Sequence, residues 1–222
     1  NIPDPVFKEY LLNNPDINTN GDAEIQTGEA QSYVLGIDIS NLVITDLTGL
    51  EAFVNITSLN CFNVGLSSLD VSYNTSIKTL YCNHNNLSTL NVSGLTDLTI
   101  LQCNHNLLTA LDLSNNGDLR EVYCIHNELT LLDLSGLEHL SVVYCSNNNL
   151  SGLVLPIGGS SSALNRLKCN DNQLTELELS TYPILNYLDC SSNSLTDLDV
   201  SNGFNLDFLE FNAKGNNLSC IE

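Results

Sequence analysis

Cysteine and histidine are the residues of this chain whose spacing could carry chemistry. Seven cysteines (Cys61, Cys82, Cys103, Cys124, Cys145, Cys169 and Cys190) follow one another at intervals of 21, 21, 21, 21, 24 and 21 residues, and Cys220 stands apart from the series. Thiolates in such number could pair as disulfides or bind zinc. The spacing argues against both. There is no C-x-x-C pair, and equivalent residues on neighbouring parallel strands point the same way rather than at each other. Buried free thiols, acting as small hydrophobes, are the expectation. His84, His105 and His126 keep the same interval. Imidazoles roughly 5 Å apart on successive strands could bind a transition metal or sense pH. Their column continues as Asn147 and Asp171, so a polar position that drifted among similar residues is the simpler reading. Asp70, Asp112, Asp133, Glu178 and Asp199 align with Asn91 as an acidic column, read as a solvated edge. There is no G-x-S-x-G elbow, no H-E-x-x-H, no glycine-rich phosphate loop and no basic clamp. No enzyme is expected.

The constant interval dictates the elements that must position these residues, because a fixed period of this size marks a repeat array. The same frame recurs as Leu80-Tyr81-Cys82-Asn83-His84-Asn85-Asn86-Leu87, as Leu101-Gln102-Cys103-Asn104-His105-Asn106-Leu107-Leu108 and as Leu188-Asp189-Cys190-Ser191-Ser192-Asn193-Ser194-Leu195. Extending the interval puts Ile39 at the cysteine position before Cys61 and Phe211 at the one after Cys190, which makes nine rungs. Over residues 34 to 218 the frame resembles that of the leucine-rich-repeat family, L-x-x-L-x-L-x-x-N-x-L, with cysteine replacing the third leucine. The half that reads Leu69-Asp70-Val71-Ser72 and Leu198-Asp199-Val200-Ser201 is similar to repeats of bacterial surface proteins of Bacteroidetes type and, more distantly, of internalins. The resemblance implies an α/β repeat solenoid: a curved rod of about nine coils, with a parallel sheet on the concave face and short turns or helical turns on the convex side. Three departures stand out. Leu42 and Val64 replace the asparagine in the first two rungs, and the last rung is stretched by two residues around Lys214 to Leu218.

Alternation along a strand sends Leu80 and Cys82 inward and Thr79, Tyr81 and Asn83 outward. One coil cannot bury its apolar set, but stacked coils can, at roughly 1.5–3 kcal/mol for each enclosed leucine. Asn85, Asn106, Asn127, Asn148, Asn172 and Asn193 follow the strand, and a buried amide there can satisfy turn backbone that no ladder reaches. On the convex side residues 47 to 53 allow a helical turn, and Ser72, Ser93, Ser114, Ser135, Ser180 and Ser201 are expected to cap turns with their hydroxyls. Residues 156 to 162 add three positions and read as a tolerated loop.

A solenoid exposes its core at both ends and needs caps. Residues 1 to 33 are expected to cap the array of residues 34 to 222, with a short helix over residues 6 to 12 and with Ile2, Phe7, Leu11 and Leu12 covering the first coil. Residues 219 to 222 offer little polar cover, the first residue is Asn1 and there is no methionine, so a processed segment of a longer chain is expected. Residues 18 to 29 resemble an EF-hand or dockerin calcium loop. On that frame Asn18, Asn20 and Asp22 supply side-chain oxygens, Glu24 a carbonyl and Glu29 two closing oxygens, with Ile25 packed inward. Neutral Asn18 and the Ala23 position, where the turn prefers glycine, depart from it.

Composition narrows the partners. Of 222 residues 42% are hydrophobic, enough for a continuous core, while 26 acids against 6 bases give a formal charge of −20. Such a chain lacks the electrostatic footprint for nucleic acid, and no apolar run is long enough to span a membrane. What remains is the concave sheet, whose outward positions vary from rung to rung. Tyr81, Tyr123, Tyr144 and Tyr187 gather there beside the basic pair Arg166 and Lys168, which would select an acidic group. The expectation is a monomeric, secreted or surface-bound bacterial scaffold that recognises a protein in adhesion. The alternative is a glycan-binding module whose Tyr81, Tyr123 and Tyr144 stack on sugar rings.

Overall fold

The structure is a computed structural model that describes residues 2–157, 163–201 and 208–220. Among the described residues, eleven strands of three residues each follow two short helices, α1 (Pro5–Leu12) and α2 (Thr27–Ser32). Nine of them form one parallel sheet: β1 (Gly36–Asp38), β2 (Ser58–Asn60), β3 (Thr79–Tyr81), β4 (Ile100–Gln102), β5 (Glu121–Tyr123), β7 (Val142–Tyr144), β9 (Arg166–Lys168), β10 (Tyr187–Asp189) and β11 (Glu210–Asn212). Each pairs with the next in sequence order along the rod, so nine rungs at about 4.8 Å span roughly 40 Å. This is the expected parallel-sheet solenoid.

The strands are short because only the middle residue and the cysteine position must turn inward. Leu59, Leu80, Leu101, Val122, Val143, Leu167 and Leu188 are fully buried, and so are the seven cysteines of the column. All seven are free thiols, and Cys220 is exposed. Burial pushes the Cys61 and Cys124 thiols up to about 12.

From β3 onward, the asparagine after each strand of the long sheet ties neighbouring rungs together. The Asn127 amide donates to the carbonyls of Cys103, Cys124 and Ile125, and its oxygen accepts from Leu108 N–H at 3.1 Å. Asn85 compensates for Val64 in the rung before it, because its oxygen takes the N–H groups of Val64, Gly65 and Leu66 together.

The last rung corrects the expected register. Phe211 pairs with Leu188 rather than standing at the cysteine position, and Glu210 and Asn212 pair with Tyr187 and Asp189. Asn216 then bonds the carbonyls of Cys190 and Ala213, as Asn85 bonds those of Cys61 and Cys82. The two extra residues therefore precede β11 instead of lying around Lys214 to Leu218.

The acidic column is the exposed edge expected, with only Asp199 partly covered. Each member closes a turn: Asp70, Asn91, Asp112, Asp133, Glu178 and Asp199 accept the N–H of the serine two residues on. The column side chain is the acceptor and serine supplies its backbone N–H, with the Ser180 and Ser201 hydroxyls donating to Glu178 and Asp199 as well. These bonds hold the carboxyls of Asp70, Asp112 and Asp133 below the usual carboxylate range.

A second, two-stranded parallel sheet on this flank, β6 (Leu131–Asp133) with β8 (Gly152–Val154), was not expected. It sits beside the insertion, whose residues 158–162 lie outside the described residues. The convex helical turn of the early coils is a single 3-10 turn, Leu50–Ala52. A further pair of buried amides escaped the sequence reading. Asn74 donates to the carbonyls of Leu50 and Phe53, and Asn116 to those of Val92 and Leu95.

Residues 2–33 pack on the open end of the array. Phe7, Leu11 and Ile17 are fully buried, while Ile2 and Leu12 are only partly covered. Asp4 caps α1 through Val6 and Phe7 N–H and also accepts Thr45 N–H from the first coil. The Tyr10 hydroxyl accepts Asp38 N–H at the edge of β1.

Candidate functional site

The sheet's outward columns meet at one aromatic cluster. The Tyr123 and Tyr144 rings, on adjacent strands β5 and β7, stand edge to face at 5.2 Å and 85°. Tyr144 and Tyr187 flank β9, with centroids 6.4 Å apart. Lys168 Nζ lies between them, 5.2 Å from the Tyr144 ring and 4.9 Å from the Tyr187 ring. Ammonium over two ring faces is a cation–π arrangement worth about 0.5–1 kcal/mol per exposed contact.

Hydrogen bonds fix the remaining freedom. The Tyr123 hydroxyl donates to Glu121 at 2.8 Å. Burial, then this bond, raises the Tyr123 hydroxyl above its ordinary range. A bond to Tyr187 strengthens the hold of Lys168 on its proton. At Tyr187 that same bond pulls the phenol down, but a bond to Glu210 and burial outweigh it. The cluster is thus pre-arranged, which lowers the ordering cost of any contact it makes.

The six residues singled out from sequence do not all meet. Tyr123, Tyr144, Lys168 and Tyr187 do, with Arg166 exposed beside them and pairing in register with Val142 and Tyr187. Tyr81 stands apart, because Gln102 on β4 separates it from Tyr123. Glu121 and Glu210, which anchor two of the phenols, were missed, although their places in the column before the middle strand position offered a signal.

The histidines form a continuous exposed stack. Their centroids are 4.2 and 4.4 Å apart at 15° and 24°, and Phe62 meets His84 edge-on at 5.1 Å. Backbone geometry explains the column. Asn41, Asn63, His84, His105, His126, Asn147, Asp171 and Ser192 all have φ between 53° and 59°, a left-handed turn that favours Asn, Asp and His among residues with a side chain. Near-parallel rings do not aim their nitrogens at one point, and among the described residues no group of His, Cys, Asp and Glu is arranged to hold a metal.

In the cap loop Glu29 accepts the N–H groups of Thr19, Asn20 and Gln26 and the Thr19 hydroxyl, which holds its carboxyl below the usual range. Asn20 and Asp22 accept N–H bonds from Asp22 and Glu24, and Glu24 also pairs with Lys8 at 2.8 Å. Asn18 gives its amide to the Leu12 and Asp22 carbonyls, and its buried oxygen has no partner among the described residues. The loop is therefore closed by its own bonds. A calcium ion at these oxygens would have to take Glu29 from its N–H donors.

A groove of about 420 Å³ opens on the acidic flank between Leu111, Leu131 and Leu137. Its carboxylates, Asp112 and Asp133, are committed to their turns. Among the described residues no helix is long and apolar enough to cross a membrane.

No family model and no curated protein matches the chain. Solved structures do. The functional domain of InlJ from Listeria monocytogenes, described as including a cysteine ladder, is 30% identical with a TM-score of 0.74, over 100% of this chain and 52% of that one. Internalin C2 from Listeria monocytogenes aligns over 100% of this chain and 93% of that one at 18% identity and a TM-score of 0.67. The leucine-rich repeat domain of APL1B aligns over 90% and 64% at 22% identity and a TM-score of 0.66. This chain spans about half the length of the InlJ domain. Register, asparagine bonds and these neighbours agree: the chain has the leucine-rich-repeat fold, with a buried column of cysteines.

Proposed function

We propose that the chain is a non-enzymatic binding scaffold, extracellular or on a bacterial surface, that recognises a protein partner in adhesion through its concave sheet. The observation that carries this reading is the locked cluster of Tyr123, Tyr144, Lys168 and Tyr187, drawn from four neighbouring strands onto one half-exposed surface. Interfaces concentrate their energy in such aromatic anchors, each worth about 2 kcal/mol or more on truncation. The extracellular setting rests on the likeness of the repeats to those of internalins.

The test uses peptides selected from a displayed library on the wild-type chain. A Tyr123→Ala, Tyr144→Ala variant with an unchanged circular dichroism spectrum should bind them at least about 30-fold more weakly. Equal affinity for that variant, with loss on a flank change such as Leu131→Asp, would place the site on the other side. Saturable binding to an oligosaccharide array, competed by free sugar, would favour the glycan alternative.

The buried, unpartnered oxygen of Asn18 keeps a second reading in view, calcium in the cap loop held by Asn18, Asn20, Asp22, Glu24 and Glu29. An ion bound only by the folded state raises the melting temperature. Melting curves in calcium and in chelator decide it. A rise with calcium supports the ion, whereas identical curves with no heat of titration leave Glu29 as a hydrogen-bonded cap.

A further inference from the structure

The chain's few bases are not scattered. Lys78 and Arg120 immediately precede β3 and β5, Arg166 and Lys168 lie in β9, and Lys214 follows β11 by two residues. Five of the six bases therefore belong to the sheet face and its margins, and the sixth, Lys8, is paired with Glu24 in the cap. Across the same columns only Asp38, Glu121, Asp189 and Glu210 are acidic, four of the 26 acids. The formal balance is +1 on this face and −21 for all other residues, Asp207 and Glu222 outside the described residues included.

The surface charges also differ in how far they are already used. Asp38 accepts Ser40 N–H, Asp189 accepts Ser191 N–H and hydroxyl, Glu121 takes the Tyr123 hydroxyl, and Glu210 bonds Tyr187. Lys78, Arg120, Arg166 and Lys214 are exposed, and none makes an ion pair among the described residues. They stand on the third, fifth, seventh and ninth rungs, so successive cations are about 10 Å apart along the rod.

We propose that the concave face takes an acidic protein segment, laid along the rungs with its carboxylates against Lys78, Arg120, Arg166 and Lys214 and its apolar or aromatic side chains against the tyrosine cluster. The inference rests on the concave-face reading above and adds the partner's charge to it. Ring geometry favours a polypeptide over a sugar. Tyr123 and Tyr144 are perpendicular rather than coplanar, and Lys168 already lies over the Tyr144 and Tyr187 rings. Little flat ring surface remains for stacking a pyranose, whereas perpendicular rings make notches that side chains fill. Near 0.15 M salt, where charges beyond about 8 Å are screened, this face acts by its own charge and not by that of the whole molecule.

Fluorescence anisotropy with a labelled poly-L-glutamate peptide, at about 0.15 M salt, tests the inference. The wild-type chain should bind it saturably despite its charge of −20, and more salt should weaken the complex. Arg120→Glu with Arg166→Glu should weaken it at least about 10-fold, and the milder Arg120→Gln, Arg166→Gln pair should weaken it less, with thermal melts showing both folded. Binding of poly-L-lysine alone, binding of heparin without poly-L-glutamate, or equal affinity of the charge variants would each overturn the proposal. The library-selected peptides separate the two readings. Loss of their affinity with the tyrosine pair but not with the charge pair keeps the concave site and removes the acidic partner; indifference to both removes both.

Discussion

The inward and outward sides of the same strands behave differently. Inward, Leu80, Leu101, Val122, Val143 and Leu167 with Cys82, Cys103, Cys124, Cys145 and Cys169 repeat almost unchanged and are fully buried. Outward, Tyr81, Gln102, Tyr123, Tyr144 and Lys168 change at nearly every rung and are half-exposed. The inward side meets the same neighbour above and below, so any change in volume or hydrogen bonding is felt by two further rungs. The outward side meets water, and its variation costs the fold little. Stability and specificity are thus carried on opposite faces of a three-residue strand.

Asn127→Ala should break that comparison most severely. It leaves the Leu108 N–H without a partner, at a cost of about 1–3 kcal/mol, and takes one of two donors from the Cys103, Cys124 and Ile125 carbonyls, which still accept from Asn106, Asn148 and His105. A loss of about 2–3 kcal/mol in urea unfolding is expected, against a change within about 0.5 kcal/mol for Thr79→Ala on the outward side. A comparable loss at both positions would erase the division.

Cys124→Ala sharpens the same comparison at smaller amplitude. Only the sulfur is removed, and a loss of about 1 kcal/mol is expected from the same unfolding measurement. The thiol state gives an independent check. With the Cys124 thiol raised to about 12 by burial, a thiol reagent should label Cys220 quickly in the native chain and the column only in denaturant. Rapid native labelling of several cysteines would contradict the buried column.

The smallest effect lies at the margin between the two faces. Burial, then His84 and His126, lower the proton affinity of His105 below that of a free imidazole. A lowered pKa disfavours the charged form in the folded state, so the stability concerned is complete above the unfolded value near 6.5 and is lost as pH falls from there through the lower folded value. Phe62 and Asn63 precede the stack and are uncharged; Asp171, two rungs beyond His126, and Glu128 are the nearby acids along the column and its flank. His105→Asn, which suits the left-handed backbone as Asn147 does, should narrow the drop in melting temperature between about pH 7.5 and pH 5. An unchanged drop would show that the stack does not govern the acid response.

Much of this was legible before any coordinates. The 21-residue interval settles the rungs, the inward Leu and Cys and the asparagine bonds, because periodicity and burial are local consequences of side-chain alternation and repeat stacking. The left-handed column was visible as a drift among Asn, His and Asp, although its cause was a backbone angle that residue types only hint at. The register of β11 could not be read by counting, since two extra residues can be absorbed before a strand or after it. Pairing of Phe211 with Leu188, together with the Asn216 amide bonds to the Cys190 and Ala213 carbonyls, decides between them. The tyrosine cluster needed space as well. Sequence put Tyr123, Tyr144 and Tyr187 in outward columns, yet rotamers and the placement of Lys168 between two rings depend on neighbours 19 to 24 residues away. Only tertiary stacking brings those residues within about 5 Å, which is why the fold was fixed by the repeat while the shape and charge of the binding face were fixed by the assembled sheet.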